Sequence, residues 1–546
     1  MNSIVIRNCN CLDPQHGIVY EPRDLFVVNG FFKSSNAISG SIDQELDAAN
    51  RIVFPGGIFP SLRTPAPTTG YVKSQPRDFA KILIKNGFTT VIVDGISPFV
   101  SLDVHRYLQH LPGLNKVPFI EAGNFQLLTG FLKNGVANYA VALENELLDQ
   151  FKGYGISCMN PGTAVRWRND MLPPQSIFEP LPFLAMSCEK IISELVAAHS
   201  QGIIKAALIV ETGIEGLSGS TDDFITFLAA AWNRLPEERK DHVAPTLAFK
   251  QLSRASCDPD LTPSEIEETV QKLQVAIQEH PGIAGFLDIP IITSEDAMFI
   301  DNSNSILQDP DNIIARGIIE GEMFQSIYRV ASDQKREILG KYWLAGTKYL
   351  LDLPAELHDT IAFSVMPHVI RECQDIATIV GSLLSEASRN AVMARANGKY
   401  LPDISRDLIG DKVISLPDFM HFSRVVPARI LGLEKYIGGL ADDQVGDVII
   451  LNAEESDLDS IMNDPSRLQD MLSDPFAVIK GGDLIYKNHE FNCQDKGFTF
   501  LQGLQEQSSI TGSIKENLDK QFLKYYSTHE NSKVVPESMI EPVLIS

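Results

Sequence analysis

Histidine is the usual ligand or acid–base group of a metal-dependent enzyme, and this sequence holds eleven, all standing singly, at 16, 105, 110, 199, 242, 280, 358, 368, 421, 489 and 529. No His-x-His or His-x-x-x-His occurs, so no strand and no helix face offers two imidazoles to one ion. The other chemistry-bearing residues sit at or just past the ends of apolar runs. They are Asp94 in "TTVIVDG", Glu121 in "VPFIEAG", Asn160 in "GISCMN", Lys250 in "PTLAFK", Asp288 in "GFLDIPII" and His368 beyond "TIAFSV". If the runs are parallel strands, these groups share one mouth, where they could act as ligands, acids or bases. An ion-paired lining and a satisfied loop histidine are the competing readings. "GIEGLSGSTDD" (213–223) has the glycines of a phosphate loop but no lysine, and Asp222-Asp223 would repel a phosphate. No Gly-x-Ser-x-Gly occurs, so nucleophilic serine chemistry has no local support. Seven scattered cysteines make no Cys-x-x-Cys, which suits a reducing compartment.

The elements that would position these groups follow from the same runs. Seven apolar runs lie between 89 and 365, and "RIVFPGG" ahead of them makes eight. Helical stretches such as "EKIISELVAAHSQG" and "SEIEETVQKLQVAIQEH" separate most of them, often ending at glycine. The spacing predicts an α/β fold, a (β/α)₈ barrel over 56–435. Short β-runs with turn pairs such as Asn29-Gly30 occupy 1–55, and more β-runs with a Gly-Gly turn occupy 436–490. The two ends are expected to form a small β-sandwich that brackets the barrel. A tail over 491–546, with Phe498, Phe500, Phe522, Tyr525 and Tyr526, would dock on the barrel or on a neighbouring protein of a complex. The net charge of −24 argues against nucleic acid and anionic membranes as partners. With no signal-like start and no run of 18 apolar residues, the expected location is cytoplasmic.

"FPGGIFPSLR" (54–63) adds a more specific observation: a β-run ends in Pro-Gly-Gly shortly before Ser61-Leu62-Arg63. With "NCLDPQHGIVYEPRDLFVVNGFF" ahead of it and "PARILGLEKYIGGLADDQVGDVIILN" near the far end, this resembles the amidohydrolase superfamily. "TPAPTTGY", "KNGFTTVIVDG", "EAGNFQLLTGFLKNG", "KGYGISCMNPGT" and "FLKYYSTHENSKVVP" resemble one branch of it. That branch comprises the A subunits of formylmethanofuran dehydrogenase and of the bacterial formyltransferase/hydrolase complex. The resemblance implies a binuclear zinc centre held by four histidines, a bridging carboxylated lysine and an aspartate after strand eight. There, water would attack the formyl carbon of a furan-linked carrier and release formate.

Carried over one position at a time, the His-x-His falls on Ser61 and Arg63, and the bridging lysine on Ser157. The strand-five histidine falls at Glu211, the strand-six histidine at Phe249 and the strand-eight aspartate at Val365. Arginine has no lone pair to give, serine cannot be carboxylated, and Phe249 and Val365 have no donor atom. The family-type zinc centre is therefore expected to be absent and no cofactor is expected. Arg63 is expected to pair with Glu211, Glu121, Asp94 or Asp288 as a salt-bridged plug. The reading favoured is a catalytically degenerate scaffold subunit in tetrahydromethanopterin-linked one-carbon metabolism. Its partners would be the other subunits of the complex, one of which could hold the furan-type formyl carrier. A working C–N hydrolase with an unrecognised site and a non-catalytic ligand-binding barrel stand as alternatives.

Overall fold

The computed structural model describes residues 3–37, 41–62, 76–159, 161, 176–181, 184–202, 206–211, 221–240, 245–257, 261–292, 298–301, 327–330, 333–366, 375–397, 400–401, 405–494, 496–503, 510–526 and 528–545. Eight parallel strands form a nearly closed barrel: β1 (Gly57–Leu62), β2 (Phe88–Ile96), β3 (Asn115–Glu121), β4 (Gly155–Cys158), β5 (Leu208–Glu211), β6 (Leu247–Lys250), β7 (Ile283–Pro290) and β8 (Ile361–Met366). Each is hydrogen-bonded to the next from β1 to β8, and β8 lies against β1 without a ladder between them. Most are buried along their whole length because helices cover their outer faces. The helix Pro263–Gln278 shows how those helices start: Thr262 and Glu265 form a capping box and a proline opens the first turn.

The first barrel strand differs from the expected one. Arg51–Pro55 of "RIVFPGG" belongs to a second sheet, where it runs antiparallel to Val448–Glu454 with Phe54 opposite Ile449. The chain changes sheet at Gly56, where a Cβ would lie 1.9 Å from Thr89 Oγ1, so only glycine lets the backbone pass. The second sheet has nine strands drawn from both ends of the chain, from Ser3–Asp13 through Asp483–Lys487 to Glu490–Phe491. The expected bracket is present, with strands from both ends of the chain joined in one hydrogen-bonded sheet. Ile4, Ile6, Val27, Val53, Ile450 and Ile479 form its own core.

The tail docks on the barrel. β4 begins opposite Phe119, which leaves a gap beside the backbone of Asn115-Lys116. Thr499–Gln502 fills that gap in parallel, and Pro542–Ile545 pairs on its outer edge. Phe500, Phe522 and Ile545 are buried, and Phe522 stacks on Phe151 at 5.9 Å. The side chains of Tyr525 and Tyr526 lie outside the described residues. No helix among the described residues is long and apolar enough to cross a membrane.

Candidate functional site

Strand alternation decides which side chains reach the barrel mouth. In β6, Phe249 packs edge-on against Phe224 and Phe227 of the helix Thr221–Trp232, at 5.1 and 5.5 Å. That places Phe249 outside the barrel and turns Lys250 inward. In β8, Ser364 donates to Asp288 Oδ1, so Ser364 faces the interior and Val365 the helical layer. The mouth-facing residues at these two strands are therefore Lys250 and Ser364, one position away from those the resemblance suggested. Asp94, Glu121, Ser157, Glu211 and Asp288 complete the ring at the ends of β2, β3, β4, β5 and β7, and all are buried.

Lys250 is the centre of the cluster. Its ammonium lies 2.6 Å from Asp94 Oδ2 and donates to the carbonyl of Pro60 at 2.5 Å, with both charged side chains 2 % exposed. A salt-bridged plug is thus present with lysine as its cation. Arg63 lies outside the described residues, as do Asn160, His368 and the side chain of Ser61. Gln251 is a site residue that sequence reasoning misses. It sits at φ +62°, left-handed for a residue with a Cβ, and closes β6 before the short helix Leu252–Ala255. Its backbone N–H donates to Asp288 Oδ2 at 2.6 Å and its side-chain amide to Glu211 Oε1. Two buried carboxylates thus hold a strained backbone, a pattern found at functional sites. Only the turn after "LAFK" hints at it.

Burial pushes the Glu121 carboxyl well above the usual carboxylate range, and the neighbouring Glu211 pushes the same way. Met159 N–H donates to Glu121 Oε2 at 2.9 Å, while Oε1 has no hydrogen-bond partner among the described residues. Burial also raises Asp288, opposed by the charge on Lys250. Among the described residues the mouth therefore gathers four carboxyl groups and one ammonium, with burial shifting Glu121 and Asp288 toward their neutral forms.

A binuclear zinc centre does not suit this donor set. Ser157 Oγ accepts the N–H of Gly95 at 3.2 Å, and a serine cannot form the carbamate bridge. Both Asp288 oxygens are engaged by Gln251 and Ser364. The Lys250 ammonium stands among the carboxylates, where it would repel a dication. Among the described residues, no group of three or more histidine, cysteine, aspartate or glutamate side chains has metal-holding geometry.

Comparison with known proteins returns two extended likenesses. The chain is 20% identical to protein FwdA of Methanocaldococcus jannaschii over 581 aligned positions, which cover 98% of this chain and 97% of the relative. It is 22% identical to the A subunit of the formyltransferase/hydrolase complex Fhc of Methylorubrum extorquens over 416 positions, 73% of this chain and 70% of the relative. No family model matches. Among solved structures, the formyltransferase/hydrolase complex FhcABCD of Methylorubrum extorquens, in complex with methylofuran, contains a chain that superposes with a TM-score of 0.78. The superposition covers 100% of both chains at 18% identity, so the two share their fold from end to end.

Proposed function

We propose that this chain is a subunit-A-like component of a formyltransferase/hydrolase-type complex in tetrahydromethanopterin-linked one-carbon metabolism, located in the cytoplasm, and that it serves as a scaffold without zinc and without hydrolase activity of its own. The observation that carries the proposal is the Lys250–Asp94 pair at the barrel mouth. An ammonium, neutral hydroxyls and strand carboxylates bound to their own backbone occupy the place where a hydrolytic metal centre would need imidazoles and a carbamate. The likeness to FwdA and to the Fhc protein runs along most of the chain, while the described residues at the mouth include no histidine and pair the one ammonium with Asp94. That is the pattern left when packing against partner proteins persists and the metal site does not. Those partners would be formyltransferase-like and dehydrogenase-derived subunits, and a furan-type formyl carrier would be held by one of them.

Two measurements on the protein purified from its native cell test this. Elemental analysis should find no stoichiometric zinc, and affinity capture of the tagged full chain should recover the other members of the complex. One or two zinc ions per chain, or formate release from a formylated furan substrate by the isolated chain, would overturn the proposal. So would a chain recovered alone under mild salt.

A further inference from the structure

At the base of the barrel, where the second sheet packs beneath the strand starts, Arg424 is buried to 1 % exposure. It belongs to the π-helical turn His421–Val425, set between the helical segments Leu416–Met420 and Val426–Ile430. The turn's extra residue rotates the side chain inward, a device often found at functional sites. Phe54, Phe419 and Phe88 surround the guanidinium, with ring centres 4.9, 5.5 and 5.9 Å from Cζ. Two glycines make room for it. A Cβ on Gly57 would lie 3.2 Å from Arg424 Cζ, and one on Gly87 would lie 3.2 Å from Nη2.

The charge is not balanced. Arg424 Nε reaches the Pro55 carbonyl at 3.4 Å and Nη2 the Gly87 carbonyl at 3.3 Å, both long for such bonds, and Nη1 donates to Ser423 Oγ. A guanidinium has five N–H donors, so three contacts leave two unaccounted for. No carboxylate pairs with it among the described residues, and burial alone pulls its pKa down, to about 9, which leaves it charged at neutral pH. An uncompensated buried charge is costly by several kcal/mol.

A cavity of about 20 Å³ adjoins this group, lined also by Lys85 and Asn86. Lys85 is only partly neutralised: its ammonium is 3.6 Å from Asp474, a carboxylate that also accepts from Tyr486 and pairs with His489. The lining contains two cations and no carboxylate. We propose that this cavity is an anion site, taking one chloride-sized monovalent ion on the free donors of Arg424, with Lys85 at its outer side. The volume excludes a nucleotide or a furan carrier. Asn86 Oδ1 has no partner among the described residues, and a water shared with the ion satisfies it.

Crystals of the full chain soaked in sodium bromide test this by anomalous scattering. A bromide peak within hydrogen-bonding distance of the Arg424 guanidinium is expected, and a water refined in its place overturns the proposal. In solution, sodium chloride should raise Tm by about 1–2 °C over sodium gluconate at equal ionic strength, as binding to the native state requires. Equal melting in the two salts overturns it as well. Because Arg424→Met removes a buried tie and can unfold the base, Lys85→Met is the second variant. It should fold and lose at least half of the chloride-specific shift; a full shift in a folded Lys85→Met protein removes Lys85 from the site.

Discussion

At the barrel mouth the described residues include four buried carboxyl groups, Asp94, Glu121, Glu211 and Asp288, and one ammonium, Lys250, paired with Asp94. At the base three cations, Lys116, Arg424 and Lys480, are buried, and Lys480 pairs with the carboxylate of Asp447. The mouth handles its surplus by hydrogen bonds within and between the strand ends. The base handles its surplus with carbonyls, aromatic faces and one shared carboxylate, and those contacts join three parts of the chain. Asn115 of β3 meets Lys480 and Asp447 of the second sheet and the Phe498 N–H of the tail, at 2.7, 3.0 and 3.1 Å. Polar groups at the base therefore hold parts of the chain together, whereas those at the mouth bind one another across the strand ends. If this is right, damage at the base should be far more costly than damage at the mouth.

The most severe test removes residues 492–546. From sequence alone the tail would dock on the barrel or on a neighbouring protein; the structure makes it part of the barrel wall. Deletion strips Phe500, Phe522 and Ile545 from the core and opens the backbone of Asn115-Lys116. Truncating a single buried phenylalanine typically destabilises by about 3–5 kcal/mol. The shortened chain should aggregate or melt at least about 10 °C lower in calorimetry. If it melts with the full chain, the tail is an appendage and the base is not the structural end.

Matched removals of one buried cation from each end sharpen the contrast. Lys480→Met leaves Asp447 facing only Asn115 and the Gly481 N–H, and should destabilise by about 3–5 kcal/mol in urea unfolding. Lys250→Met should cost less, about 1–3 kcal/mol, because the other mouth carboxyl groups keep their hydrogen bonds to Gln251, Ser364 and Met159. Adding Asp94→Asn to Lys250→Met should recover part of that loss. A larger effect at Lys250 than at Lys480 would reverse the comparison.

Much of this architecture is legible in the sequence because strand ends are marked by composition. Asp94, Glu121, Lys250 and Asp288 stand out as mouth residues because apolar runs close on a charge, and the structure gathers all four there. Inward and outward positions are not legible in β6 and β8. Both faces of these strands are buried, so polar–apolar alternation, the signal that would separate Phe249 from Lys250, is missing. The left-handed Gln251 is hidden for another reason: its conformation is imposed by Asp288 and Glu211, distant in sequence, and not by a local turn preference. The shift of the first barrel strand from Arg51–Pro55 to Gly57–Leu62 has the same character, since two adjacent apolar segments divide at a glycine chosen by its clearance from Thr89.

The smallest effect concerns the proton that the mouth retains. Glu121 has a folded-state pKa raised by burial, so the native state binds a proton more tightly than the unfolded chain. Its contribution is fully present below the unfolded pKa, about 4.3, and is lost as pH rises through the raised folded value. His105, buried in the helix Ser101–Leu108 with its ring on the Phe151 carbonyl near the start of β4, has the opposite sign. Burial lowers its pKa to about 4, so its contribution is present above about pH 6.5 and is lost as pH falls from there toward 4. Glu121→Gln keeps an oxygen to accept the Met159 N–H and removes the titration. Thermal melts from pH 4 to 9 should then show the variant equal to the wild type near pH 4 and more stable by a few degrees at pH 8–9, with the acid limb unchanged. Identical alkaline limbs would mean that the carboxyl of Glu121 is already ionised in the folded protein. The contrast with the base would then rest on Lys250 alone.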